Sequence, residues 1–153
     1  MPLLVAALLQ ADALIGRMTL EEKIGQMTQL TIGALPDAAH LRQAIVDRHV
    51  GSILNVVDTA LSLDGWHSLI RQIQDLATKE SRLGIPMIYG IDFVHGANYT
   101  RGGTIFPHNI GMAATFDPDL VREAGEVTAR EALASGLPWN FAPVLDVGRQ
   151  PLW

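Results

Sequence analysis

Apolar residues recur along this chain in two alternating rhythms. Steps of three and four run through Leu20, Ile24 and Met27, then Leu41, Ala44 and Ile45, then Trp66, Leu69, Ile70, Ile73, Leu76 and Ala77, and finally Leu120, Val121, Ala124, Val127 and Ala132. Such steps line one face of a helix. Between these stretches lie shorter apolar runs at 30–32, 52–57, 87–91 and 139–146, bounded by glycines or polar turns, and these predict strands.

The punctuation agrees with the rhythm. Thr19 and Glu22 form a capping box, in which each side chain bonds to the other residue's backbone amide at the start of a helix. Pro36-Asp37 opens a second helix that Gly51 is expected to close in the left-handed conformation, and Gly84 with Pro86 stops a third. Asp117-Pro118 supplies an N-cap and a first-turn proline to a fourth, which Gly136 ends. Residues 102–116 are too irregular for one element and predict a long functional loop with a short helix. In the last strand Pro143 removes one ladder donor.

Strands alternating with helices predict an α/β fold with a parallel sheet and helices packed on it. Two closures compete. A doubly wound open sheet needs no more chain than this, whereas a (β/α)8 barrel takes about 250 residues, so that only roughly the first half would be present. The chain stops at 149–153 on a large apolar side chain with no closing helix, which favours truncation. No low-complexity stretch, linker or domain boundary is legible.

Composition narrows the function classes. A chain of 153 residues can bury roughly 68–70% of its unfolded surface. Hydrophobic residues at 48% and charged ones at 18% argue against disorder, and no apolar run approaches the ~18 residues of a membrane span. A net charge of −5 without a basic cluster predicts no nucleic-acid partner. The absence of cysteine removes disulfides, thiolate zinc sites and cysteine nucleophiles. The apolar start at 3–9 has something of a signal-peptide core, with Ala11-Asp12-Ala13 where cleavage would fall, but no basic residue precedes it, which favours a first helix.

Candidate chemistry gathers after the strand at 87–91, where Asp92 and His95 stand among glycines. The C-terminal ends of parallel strands are where α/β scaffolds place their sites. Asp146 holds the equivalent place on the last strand, so the two carboxylates could flank a scissile bond, although a turn or cap role suits Asp146 better. His95 and His108 with Asp92 raise a metal reading that their spacing does not support, while His40, His49 and His67 lie in helical stretches. No Gly-x-Ser-x-Gly elbow, dinucleotide fingerprint or phosphate loop is present. Asn98-Tyr99-Thr100 is a glycosylation sequon, meaningful only for a secreted eukaryotic protein. Trp66 is expected in the core, and packing suits Trp139 better than sugar stacking.

Four blocks in order, Arg17-Met-Thr-Leu-Glu-Glu-Lys-Ile-Gly-Gln-Met27, Gly90-Ile-Asp-Phe-Val-His-Gly96, Thr104-Ile-Phe-Pro-His-Asn-Ile-Gly111 and Asn140-Phe-Ala-Pro-Val-Leu-Asp-Val147, closely resemble successive blocks of family 3 glycoside hydrolases, β-glucosidase branch. The resemblance implies a partial (β/α)8 barrel, with residues 1–153 the N-terminal portion of the barrel domain and no second domain present. It implies a retaining, exo-acting enzyme that hydrolyses terminal β-D-glucosyl residues without a cofactor or metal. Retention takes a nucleophile and an acid/base about 5–5.5 Å apart. The resemblance places both in parts of the family that have no counterpart here, so the isolated chain is expected to be inactive.

What carries over is Asp92, which matches the aspartate that binds hydroxyls of the terminal sugar and favours glucosidase-type over xylosidase-type enzymes. Leu152 departs from the arginine common at its place, and nothing resembles the hexosaminidase motif. The implied partner is a β-glucoside or oligosaccharide. Neither nucleic acid nor membrane is expected, and the exposed edges of a half-barrel could self-associate. The family is often periplasmic or secreted, which leaves the localisation of this chain open. The alternative is a non-catalytic module that binds sugar or assembles with a complementary chain.

Overall fold

A computed structural model describes residues 11–56, 59–145, 148–150 and 152. It divides into two compact units, one formed by the residues up to Leu54 with Arg71–Ile88, the other by Asn55–Ile70 with the residues from Tyr89 onward.

In the first unit residues 11–17 are helical, and the capping box then forms as expected: Thr19 Oγ1 accepts from the Glu22 amide at 3.2 Å while Glu22 Oε2 accepts from the Thr19 amide at 2.8 Å. It opens helix α1, Leu20–Gln26. The buried face of α1 is not the apolar one. Leu20, Ile24 and Met27 are exposed, whereas Glu22 and Gly25 are buried. Gly25 faces the Arg48–His49 backbone so closely that a Cβ would lie 2.4 Å from Arg48 O. Glu22 is covered because it pairs with Arg82, whose Nε and Nη2 donate to its two oxygens at 2.9 and 2.5 Å.

Strand β1, Gln29–Thr31, pairs in parallel with β2, Ser52–Leu54, in the register Leu30↔Ile53. Helix α2, Ala38–Arg42, starts at Asp37, whose Oδ1 accepts from the His40 amide at 2.9 Å, and runs into a wide π turn at Gln43–Asp47. His49, not Gly51, takes the left-handed conformation after this helix, with φ 58°. Gly51 is needed for proximity instead, because a Cβ there would stand 2.2 Å from Gln26 O. The later half of helix α3, Leu63–Asp75, also ends in a wide turn, Leu76–Glu80, and Gly84 follows at φ 62°. Leu41, Ile45, Ile53, Ile73 and Ala77 fill the core of this unit.

The second unit holds the start of α3, most of β3 (Ile88–Ile91), helix α4 (Asn109–Ala113), helix α5 (Pro118–Ala134) and β4 (Trp139–Asn140). Asp117 caps α5 through bonds from the Asp119 and Leu120 amides, and Gly136 ends it at φ 80°. Strand β3 pairs in parallel with β4, Gly90↔Trp139 and Ile91↔Asn140. Trp66, Tyr89, Ile91, Phe93 and Leu137 are fully buried. The indole N–H of Trp66 donates to Tyr99 O at 3.1 Å, and its ring meets Tyr89 edge-on at 5.7 Å.

Two strands are shorter than their apolar runs. The run at 52–57 is strand only to Leu54, because Asn55 turns left-handed at φ 64°; Val57 lies outside the described residues. The run at 139–146 is strand only at Trp139–Asn140, consistent with a proline that has no N–H to donate three residues later. Asp146 and Val147 lie outside the described residues.

Candidate sugar-binding site at the end of the third strand

Asp92 directly follows β3. It is half-buried between Ile91 and Phe93, both fully inaccessible, so its backbone sits in packed surroundings. Among the described residues no group donates a hydrogen bond to its carboxylate and none forms an ion pair with it.

The backbone on either side is held from β4. Phe141 N donates to Ile91 O at 3.0 Å. The Asn140 side chain then clasps Phe93, its Oδ1 accepting from Phe93 N at 3.0 Å and its Nδ2 donating to Phe93 O at 3.2 Å. Gly90 lets the Phe141 ring lie against β3, because a Cβ at Gly90 would be 2.4 Å from Phe141 Cζ. Asn140 drew attention in the sequence only as part of a family block, since a strand-end asparagine looks the same whether it faces solvent or bonds to a backbone.

Asn55 ends β2 beside this strand. Its N–H donates to Gly90 O at 3.0 Å and its own carbonyl accepts from Tyr89 Oη at 2.5 Å. Burial pushes the Tyr89 phenol well above its ordinary pKa, so it stays a neutral donor. Among the described residues the buried Asn55 amide oxygen has no partner.

Beyond Asp92 the chain forms a pinned hairpin that takes in the start of the loop expected at 102–116. Gly96 and Ile105 bridge in antiparallel sense, Phe106 N donates to His95 O at 2.7 Å, and Ala97 N donates to Thr104 O at 2.9 Å. Gly96, at φ 108°, is irreplaceable in this turn, as a Cβ would fall 2.1 Å from Thr104 O. The hairpin is tied to α5 where Glu131 accepts from both the amide and the hydroxyl of Thr104, at 2.8 and 2.7 Å, and where the hydroxyls of Thr100 and Ser135 meet at 3.0 Å. Thr100, the last residue of the sequon, is therefore buried.

His95 does not bond to Asp92. Its Nδ1 lies 3.1 Å from Phe106 O and its ring lies 4.1 Å from that of His108. Among the described residues no three His, Cys, Asp or Glu side chains come together as a metal group. His40 bonds to the Asp37 cap and His67 Nε2 lies 2.7 Å from Ala134 O. Trp66 is in the core as expected, and Trp139, partly exposed, packs edge-on against Phe141 at 4.7 Å. A cleft of ≈ 530 Å³ opens among Phe93, His95, Phe106, Met112, Val121 and Asn140, and Asp92 is not part of its mostly apolar wall.

Residues 19–153 match the model of the glycosyl hydrolase family 3 N-terminal domain. The lysosomal β-glucosidase of Dictyostelium discoideum is 42% identical over 157 residues, which cover 93% of this chain and 19% of that protein. The exo-1,3/1,4-β-glucanase of a Pseudoalteromonas species superposes with a TM-score of 0.74 at 33% identity, over 94% of this chain and 24% of its own. The β-glucosidase of Listeria innocua, in complex with glucose, does so with a TM-score of 0.70 at 32% identity, over 94% and 20%. The chain thus spans about a fifth to a quarter of the length of these relatives. Four parallel strands with intervening helices match the barrel-type N-terminal domain of such neighbours, and the chain belongs to glycosyl hydrolase family 3.

Proposed function

We propose that this chain carries part of the glucose-binding subsite of a retaining, exo-acting β-glucosidase, with Asp92 as its sugar-holding residue and with neither the nucleophile nor the acid/base among residues 1–153. The observation that carries the reading is Asp92, half-buried directly after a parallel strand, with a carboxylate that no group among the described residues bonds. A carboxylate accepts from two hydroxyls at once, and such charge-assisted bonds are about twice as strong as neutral ones. Vicinal hydroxyls of a terminal glucosyl unit are ligands of that kind, and a relative with the same fold is known with glucose bound. Hydrogen bonds that persist from ground state to transition state hold the sugar while groups elsewhere perform the displacement.

Titration of the chain with D-glucose, followed by backbone amide shifts, tests this. Asp92→Ala is expected to weaken binding by about 10- to 100-fold, the equivalent of one charged hydrogen bond or slightly more. Unchanged binding would refute the assignment. Turnover of an aryl β-glucoside by the pure chain, abolished in Asp92→Ala, would refute the placement of the catalytic pair outside residues 1–153.

A second reading, a module that assembles with a complementary chain, is favoured by the exposure of Ile110, Phe116, Leu120 and Leu133 around α4 and α5. Sedimentation that shows a single monomeric species at all concentrations would dismiss it.

A further inference from the structure

The geometry points to Asn140 as the residue that positions Asp92, an inference that rests on the sugar-subsite reading above. Among the described residues nothing bonds to the Asp92 side chain, so the place from which its carboxylate reaches out is set by the backbone that carries it. Three hydrogen bonds bracket that backbone, Phe141 N to Ile91 O on one side and the two from the Asn140 amide to Phe93 N and Phe93 O on the other. The parallel ladder ends at the pair Ile91↔Asn140. From there the side chain of Asn140 continues it, supplying both the acceptor and the donor that a third strand residue would have offered.

Phe93 is fully buried, so without this clasp both of its polar backbone groups would lie in a dry interior unpaired. That part of the role is structural. The positioning part follows from Asp92 being the residue between the two anchored ones: with Ile91 O and Phe93 N both fixed, only its side-chain torsions remain free. Two hydroxyls must be met within about 0.5 Å for a bidentate carboxylate to serve as such. Asparagine suits the clasp because it joins one acceptor and one donor on a short stem. Aspartate would keep the bond from Phe93 N and lose the one to Phe93 O; alanine would lose both.

A double-mutant cycle separates positioning from mere packing. D-Glucose is titrated into the wild-type chain, Asp92→Ala, Asn140→Ala and the double variant, with thermal melts of all four. Asn140→Ala is expected to weaken glucose binding about 5- to 10-fold in the wild-type background and to leave it unchanged in the Asp92→Ala background. Its melting temperature is expected to fall in both backgrounds alike. An equal loss of binding in both backgrounds, or none in either, would overturn the inference and leave the Asp92 assignment standing. If Asp92→Ala does not weaken binding, the subsite reading itself fails and the inference falls with it. Should Asn140→Ala not fold, Asn140→Asp takes its place in the same cycle, with a smaller loss expected only where Asp92 is present.

Discussion

A single methyl group added at Gly90 examines how tightly the strand end is built. Gly90 lies outside the left-handed region, so alanine is compatible with its backbone; the obstacle is Phe141, whose Cζ and Cε2 would stand 2.4 and 2.9 Å from the new Cβ. Carbon atoms rest about 3.5–4.0 Å apart, so the ring would have to retreat by roughly 1 Å. It is not free to do so, because Phe141 N is bonded to Ile91 O at 3.0 Å and the ring abuts Trp139 at 4.7 Å. Overpacking of this kind costs about 1–3 kcal/mol. Alanine recovers about 0.5–1 kcal/mol by restricting the unfolded chain, which leaves a net loss of up to about 2.5 kcal/mol, centred on about 1 kcal/mol. Urea unfolding followed by tryptophan fluorescence should show a lower midpoint and an unchanged slope for Gly90→Ala. With Phe141→Ala already in place, the same substitution should be neutral or stabilising by about 0.5–1 kcal/mol. An equal loss in both backgrounds would refute the claim that the ring is what Gly90 makes room for.

Gly96→Ala should be more severe, about 3 kcal/mol or more by the same assay, because its Cβ would strike the Thr104 carbonyl at 2.1 Å in a backbone already at φ 108°. Asn55→Gly should raise the melting temperature by roughly 2–4 °C, since glycine relieves both the left-handed backbone and the buried, partnerless amide oxygen; a lower melting temperature would mean that the amide is paired in solution. The Glu22 carboxyl is held down from 4.5 to about 2, first by the Arg82 side chain and then by the Thr19 amide. A depressed carboxyl contributes stability above its unfolded pKa and loses it as pH falls toward the folded one. Urea midpoints of the wild type should therefore fall between pH 4.5 and 2 more steeply than those of Glu22→Gln, and parallel curves would rule the coupling out.

What could be read in advance was whatever a residue decides locally. The Thr19–Glu22 box, the Asp117-Pro118 cap and the glycines at 84 and 136 behave as their chemistry dictates. The place of Asp92 directly after β3 was legible, because a carboxylate at the end of an apolar run stands out. Decisions taken between distant residues were not legible. Glu22 is buried because Arg82, sixty positions away, pairs with it, and α1 therefore turns its apolar positions outward. Gly51 looked like a helix terminator, yet its lack of a side chain serves the approach of Gln26, and His49 bears the left-handed turn. Asn140 could not be distinguished from a solvated strand-end amide until its partner, Phe93 just past β3, was known. Small residues also hid a face: Ala124, Thr128 and Ala132 are the buried side of α5, while the larger Leu120 and Leu133 are exposed.

The wide turns that finish α2 and α3 bear on how this sequence can change length over evolutionary time. Each closes with a bond to the fifth residue onward, Arg48 N to Gln43 O at 2.9 Å and Ser81 N to Leu76 O at 3.1 Å, and so holds one residue more than an α turn would. A one-residue deletion within 43–47 or 76–80 would convert the turn to ordinary helix instead of breaking it, which makes these segments natural places for descendants to shorten. The two are not independent, however. Arg42 Nε bonds to Glu80 Oε2 at 3.0 Å and Ser81 Oγ to Ile45 O at 3.5 Å, so each turn is bonded to a residue that flanks the other. Homologues that have lost one of the pair are expected to have lost both.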